Sequence, residues 1–139
     1  SLNAPNKILH RKICRSCEKN AWKKFNETLK LMKNLKCRTV VRLTLIKDLN
    51  MKDEFIKQYA DLIKKTSPLF IHVKGWVCRG FSKKRIDYRK MPRHKEVKEF
   101  AKKLLKYLPK YQFLDDKFES NVVLLGKDKS RMKIKKEEI

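Results

Sequence analysis

The sequence lacks any long apolar run. No stretch approaches the roughly 18 consecutive apolar residues that a membrane-spanning helix needs, and no charged segment followed by an apolar one marks a secretory leader. We therefore expect a cytoplasmic protein with no membrane partner. Acidic residues are also scarce, with 15 Asp and Glu against 38 Lys and Arg and a formal net charge of +23. Such a charge favours RNA or DNA as a partner, although a solvated lysine-rich surface would give the same count.

Most familiar catalytic motifs are absent too. The sequence has no glycine-rich phosphate loop, no HExxH motif, no Ser/His/Asp or Cys/His set and no paired carboxylates. Four cysteines are present, and in a cytosolic protein they are not expected to form disulfides. Cys14 and Cys17 have the spacing of half a zinc site or a redox pair, but only His10 lies near enough to add a ligand. We interpret them as unrelated cysteines in a basic loop and expect no metal site, with a small zinc protein as the alternative.

The 139 residues are 41% hydrophobic, which is enough for a domain with a core. Apolar residues at helical spacing predict helices within residues 22–35, 55–63 and 97–105, and apolar runs predict strands within 38–46, 69–73, 111–114 and 121–125. We interpret Ser1–Pro5 as the end of a further strand, and we expect the basic tail after Gly126 to be frayed. The order of strands and helices predicts an α/β fold with βαβ units and a parallel sheet.

Two neighbouring strands each have one apolar and one polar face. The polar faces carry Arg42 and Thr44 in one strand and His72 and Lys74 in the next. A strand buried between two helical layers would be apolar on both faces. The pattern therefore favours a barrel whose apolar faces pack on helices and whose polar faces line a ligand-holding lumen. The four polar side chains would then converge on one cavity, while an exposed sheet face with ordinary surface charges is the alternative.

A long connection follows the second of these strands, between Lys74 and Pro92. It combines the aromatic residues Trp76, Phe81 and Tyr88 with many basic ones. Long loops in compact domains are usually functional or disordered. Cations that meet phosphates and rings that stack on bases suit RNA, so we predict a folded RNA-binding loop. Its expected RNA contacts are Arg79, Ser82, Lys83, Lys84, Arg85 and Arg89.

Three stretches resemble motifs of the wybutosine-synthesis radical S-adenosylmethionine enzymes, the tRNA 4-demethylwyosine synthases. RLTLIK at residues 42–47, followed by Asn50-Met51, resembles the family's RLTLVKG-x-NM. FIHVKG at residues 70–75, followed by Gly80-Phe-Ser82, resembles FIEVKG…G-x-S. MPRHKEV at residues 91–97, followed by Phe100, resembles MP-x-HEEV-x-x-F. Residues 1–5 and 120–125 are similar to two further strand segments, so the resemblance runs in the family's order along nearly the whole chain.

The resemblance implies a fold and an activity. Residues 1–92 would be the C-terminal portion of a partial (β/α)6 radical S-adenosylmethionine barrel, and residues 93–139 a family-specific extension of a helix, strands and a basic tail. The family joins a two-carbon unit from pyruvate to N1-methylguanosine of phenylalanine tRNA. This carbon–carbon bond-forming lyase reaction builds tricyclic 4-demethylwyosine and uses S-adenosylmethionine and a [4Fe–4S] cluster.

Positions in these motifs also imply roles. The residues expected to bind the cofactor are Asn3, Arg42, Thr44, Lys47 and Asn50. The residues expected to face the reacting groups are His72 and Lys74. The sequence departs from the family at His72, which replaces a glutamate, and at Asp48, which replaces a glycine.

The chain has no match to the family's C-x-x-x-C-x-x-C cluster motif, because Cys14 and Cys17 have no third partner at that spacing. We expect the cluster ligands upstream of Ser1, together with a flavodoxin-like electron donor, either a domain that could carry FMN or a separate protein. The chain alone is therefore expected to be inactive. A non-catalytic basic RNA-binding module of α/β architecture is the alternative function.

Overall fold

The structure is a computed structural model that describes residues 1–134 and 136. It contains four α-helices and four β-strands within this range. The helices are α1 (Lys7–Cys14), α2 (Ala21–Met32), α3 (Ile56–Thr66) and α4 (His94–Leu105). The strands are β1 (Val40–Leu45), β2 (Phe70–Gly75), β3 (Gln112–Lys117) and β4 (Val122–Gly126). All three predicted helices and the four strands predicted after residue 38 are therefore confirmed.

The strands form one sheet in the order β1-β2-β4-β3. β1 and β2 pair in parallel and are joined through α3, which confirms the predicted βαβ unit. β4 pairs antiparallel with β2, and β3 antiparallel with β4. The prediction of a parallel sheet is therefore wrong for β3 and β4, because a tight turn joins them and tight turns connect antiparallel strands. The described strands form an open mixed sheet, and the barrel stays a prediction.

One face of this sheet is buried under helices. Leu43 and Leu45 of β1 and Ile71 and Val73 of β2 are fully buried in a cluster to which α2, α3 and α4 also contribute. Burial of each such side chain stabilises the fold by about 1.5–3 kcal/mol. This gain in free energy favours burial of the apolar face of each strand. Because side chains alternate along a strand, Arg42 and His72 then lie on the opposite face.

The first residues differ from the prediction. Residues 1–4 are extended but do not form a regular strand. A single backbone hydrogen bond, from Leu2 N–H to the carbonyl of Arg42 at 2.7 Å, joins them to β1. α1 follows and was not predicted, although Asn6 caps it by accepting a hydrogen bond from Leu9 N–H at 3.0 Å.

The basic tail after Gly126 contacts residues that precede β1 and β2, as far as the tail is described. Lys127 Nζ donates to the carbonyl of Ser67 at 2.7 Å, and the guanidinium of Arg38 donates to the carbonyls of Arg131 and Lys133. The expectation of fraying is wrong for this part, and for residues 135 and 137–139 it lies outside the described residues. The proposed boundary between residues 92 and 93 stays a prediction. Within residues 1–134 and 136, every helix is too short or too polar to cross a bilayer.

Candidate active site

The polar face of β1 and β2 carries four of the predicted site residues. Arg42 lies opposite His72 and Thr44 opposite Lys74 in the parallel register. Residues in register on neighbouring parallel strands point to the same side of the sheet. The four side chains thus share one face of the sheet, as side-chain alternation predicts, whereas their convergence on one cavity and their catalytic and cofactor-binding roles stay predictions.

A depression of about 560 Å³ lies at the end of this face. It is bounded by β1, by the segment that follows β2 and by the turn between β3 and β4. Its lining residues are Ser1, Arg42, Thr44, Lys74, Gly75, Trp76, Val77, Arg79, Glu119 and Ser120. The depression is open to solvent, because the helices of the core pack on the opposite face. The lumen of a closed barrel therefore stays a prediction, like the barrel itself.

The electrostatics of this face favour an anionic ligand. Burial lowers the pKa of His72 below its ordinary value, and the neighbouring charges of Arg42 and Lys74 lower it further. His72 is therefore neutral near pH 7 and can accept a hydrogen bond. The guanidinium of Arg42 and the ammonium of Lys74 can donate hydrogen bonds to a carboxylate or phosphate.

Asn50 holds the end of β1 in place. Its side-chain oxygen accepts from Ile46 N–H at 2.6 Å, and its amide group donates to the carbonyls of Asn3 at 2.8 Å and Thr44 at 2.9 Å. The side chain is fully buried. These bonds occupy its polar atoms, so the geometry supports a structural role for Asn50 rather than contact with a cofactor.

Asn3 lies beside this network. Its side-chain oxygen is buried and has no hydrogen-bond partner among the described residues. Burial raises the pKa of the nearby Cys14 thiol, and Asn3 lowers it in part. Asn3 is thus near the end of β1, as predicted, but it does not line the depression.

Lys47 does not join the other predicted cofactor residues. Its Nζ forms an ion pair with Glu96 of α4 at 2.7 Å, and its backbone N–H donates to the carbonyl of Lys90. The regular strand ends at Leu45, so strand alternation no longer sets the direction of Lys47. Lys47 therefore lies apart from Arg42 and Thr44, and its expected role in binding the cofactor stays a prediction.

The connection after β2 is folded, as predicted. It contains short 3-10 helices at Gly80–Lys84 and Tyr88–Lys90. The side chains of Phe81 and Tyr88 are 83% and 69% exposed, whereas Trp76 is buried. Trp76 borders the depression but has little exposed surface with which to stack on RNA, while Phe81 and Tyr88 can stack.

The predicted RNA contacts of this loop differ in their surroundings. Arg79 lines the depression, and its carbonyl accepts from Ser82 Oγ at 2.5 Å. Lys83 and Arg85 are exposed, and Lys84 lies over the ring of Phe81. Arg89 pairs with Asp87 at 2.6 Å, and this contact lowers the pKa of Asp87 to about 2.

The four cysteines are free. Within residues 1–134 and 136, no group of three or more His, Cys, Asp or Glu side chains is placed to hold a metal. Cys14 and Cys17 consequently do not form a metal site with the described residues. The residues present do not fit a [4Fe–4S] cluster.

The sequence patterns gave no indication of the turn between β3 and β4. Glu119 and Ser120 reach the depression only because β4 pairs with β2, which brings this turn next to Lys74. A second feature involves His94, the first residue of α4. Its Nε2 lies 2.6 Å from Asp116 Oδ2, so His94 ties α4 to β3. Residue spacing alone carries no signal for either feature.

Comparison with known proteins shows what this chain is similar to. Residues 65–127 match the family model for wyosine base formation. The chain is 40% identical over 109 residues to the S-adenosyl-L-methionine-dependent tRNA 4-demethylwyosine synthase of Pyrococcus abyssi, covering 78% of this chain and 31% of that protein. It is 35% identical over 133 residues to the corresponding synthase of Xenopus laevis, covering 95% of this chain and 18% of that one.

The fold of the chain is also similar to that of solved structures. A structure of TYW1 with a lysine–pyruvate adduct bound superposes with a TM-score of 0.77 at 29% identity, over 93% of this chain and 39% of that one. A crystal structure of archaeal TYW1 gives a TM-score of 0.68 at 26% identity, over 90% of this chain and 37% of that one. The chain thus spans less than half the length of each of these proteins.

Proposed function

We propose that the chain is part of a tRNA 4-demethylwyosine synthase, because residues 65–127 match the family model for wyosine base formation and the chain is similar to synthases of this kind. The parent enzyme would build 4-demethylwyosine from N1-methylguanosine of phenylalanine tRNA and pyruvate. The tRNA substrate suits a cytoplasmic protein. The relatives are synthases, so the alternative of a non-catalytic RNA-binding module is not favoured.

The main structural support for the proposal is the arrangement of side chains on the polar face of β1 and β2. Arg42, His72 and Lys74 lie on one open face of two paired strands. Two cations beside a neutral imidazole suit a small carboxylate ligand, because the cations bind the carboxylate while the imidazole accepts or holds a proton. We assign Arg42 and Thr44 to the carboxylate end of the cofactor, and His72 and Lys74 to pyruvate or the guanine.

S-adenosylmethionine, when bound to the parent enzyme, would supply the radical that starts the reaction. Arg42 and Thr44 fit its carboxylate, since they bring a cation and a hydroxyl to one depression. The cluster ligands and the electron donor would come from parts of the parent enzyme or its partners outside this chain. This chain's own contribution is to bind and orient the anionic groups and the tRNA.

The loop after β2 would hold the anticodon arm. Its exposed Phe81 and Tyr88 offer two ring faces, and Lys83 and Arg85 offer cations next to them. Rings that stack on unpaired bases and cations that meet phosphates are typical of proteins that bind RNA loops. Because Arg79 belongs to both the loop and the depression, RNA held by this loop would lie next to Arg42 and Lys74.

The test uses the parent enzyme with Arg42→Ala, Lys74→Ala or Lys57→Ala, and measures 4-demethylwyosine in digested tRNA by mass spectrometry. Lys57 is an exposed residue of α3 and removes the same charge away from the site. We expect the first two variants to lose about 100-fold or more in rate and Lys57→Ala to keep its activity. Equal activities in all three variants would refute the proposal.

A further inference from the structure

Glu119 is the one carboxylate among the described residues that line the depression, where it lies with Arg42, Lys74 and Arg79. Within the described part of the chain, no ion pair joins Glu119 to any of these cations, so its oxygens are available to a ligand. A carboxylate repels the anionic part of a ligand and attracts hydrogen-bond donors. A ligand whose anionic group is bound by the cations would therefore present a hydrogen-bond donor, and not its anionic group, to Glu119.

The turn that carries Glu119 is firmly attached to the end of β2. Gly75 N–H donates to the carbonyl of Asn121 at 2.9 Å, and Asn121 N–H donates to the carbonyl of Phe118 at 2.9 Å. The side-chain amide of Asn121 donates to the carbonyl of Pro92 at 2.8 Å. Asn121 has a φ of 47°, a left-handed conformation that asparagine tolerates better than most residues. The turn is thus held by both the strand and the segment before α4.

α4 supports the same turn from behind. The ring of His94 meets Phe118 edge to face, with centroids 5.6 Å apart. His94 also contacts Asp116 of β3, which Lys98 approaches at 3.1 Å. Side chains that are braced by their neighbours hold a binding group at low entropic cost. The turn that carries the exposed Glu119 is therefore held by β2, by the segment before α4, by α4 and by β3.

We propose that Glu119 is a specificity-determining residue that accepts a hydrogen bond from the exocyclic amino group of the target guanine. The inference rests on the proposed function, which puts a guanine at this depression. Methylation of N1 removes one of the two donors on the base-pairing edge of guanine and leaves the amino group. A carboxylate acceptor matches that remaining donor, and a base without the amino group would leave Glu119 unpaired.

The test measures binding of the chain to two anticodon stem-loops of phenylalanine tRNA by fluorescence anisotropy. One stem-loop carries N1-methylguanosine, and the other carries N1-methylinosine, which lacks the amino group. We expect the unmodified chain to prefer the guanosine form on the order of tenfold. Glu119→Ala should bind both forms equally, while Glu27→Ala, which removes an exposed carboxylate on α2, should keep the preference.

The outcomes separate this inference from the proposed function. If Glu119→Ala prefers the guanosine form as strongly as the unmodified chain does, the role of Glu119 is refuted while binding to the anticodon arm stands. If the unmodified chain binds both stem-loops equally well, the role of Glu119 is also refuted. If it binds neither more tightly than an unrelated hairpin, the proposed function fails as well. Circular dichroism of Glu119→Ala checks that the variant is folded.

Discussion

Replacement of Gly75 by alanine should destabilise the fold and disturb the depression together. A Cβ atom at Gly75 would lie 2.2 Å from Asn121 Nδ2, 2.9 Å from Asn121 Cγ and 3.0 Å from Pro92 Cγ. The proline ring is stiff, so the asparagine side chain must move and give up its bond to the carbonyl of Pro92. Overpacking costs about 1–3 kcal/mol and the lost hydrogen bond about 1 kcal/mol. We therefore expect a loss of about 2–4 kcal/mol.

Thermal unfolding followed by circular dichroism measures this cost. For a domain of this size, each kcal/mol lowers Tm by roughly 3–5 °C, so Gly75→Ala should lower it by roughly 6–20 °C. Asn121→Gly provides the matched background, because it removes the clashing side chain and tolerates the positive φ. In that background Gly75→Ala should cost about 1 kcal/mol or less. If Gly75→Ala lowered the free energy of unfolding equally with and without Asn121→Gly, or in neither case, the proposed clash between Gly75 and the turn would be refuted.

Three further predictions follow from the site. Asn50→Ala should lower the free energy of unfolding by about 2–4 kcal/mol, because it leaves a buried N–H and two carbonyls unpaired. Urea unfolding measures this loss, and a loss below about 1 kcal/mol would contradict the structural role of Asn50. The pKa of His72 is lowered from 6.5 in the folded state, so the unfolded chain binds the proton first and stability should fall as pH drops below about 6.5. His72→Gln should reduce that slope in unfolding curves measured from pH 7.5 to 5, and an unchanged slope would contradict the environment of His72. If the loop binds the RNA, replacing Lys83, Lys84 and Arg85 together by alanine should weaken the salt dependence of binding. The slope of log affinity for the anticodon stem-loop against log salt concentration should fall in magnitude by about 2. Alanine at three exposed lysines of α3 should leave this slope unchanged.

Side-chain alternation predicted the polar face correctly, because every second residue of a strand points the same way. Arg42 and His72 lie in register on one face for that reason. The alternation does not extend to Lys47, because β1 ends at Leu45 and the chain then turns so that Asn50 accepts a hydrogen bond from Ile46 N–H. Lys47 then points to Glu96, and no local spacing indicates this.

Other features depend on pairing between distant segments. Trp76 is buried while Phe81 and Tyr88 are exposed, although all three stand in the same basic loop. Glu119 reaches the depression only through the antiparallel pairing of β4 with β2. An aromatic or acidic residue in a loop carries no sign of which surface it will face, because tertiary packing decides it.

Lysine footprinting tests most directly whether the polar face binds the substrate. The chain would be acetylated with and without the anticodon stem-loop, and the modification of each lysine measured by mass spectrometry. We expect RNA to protect Lys74, on the polar face, and to leave Lys57, on α3 over the opposite face, as reactive as before. Protection of Lys57 without protection of Lys74 would contradict the assignment of the substrate site to the face of Arg42, His72 and Lys74.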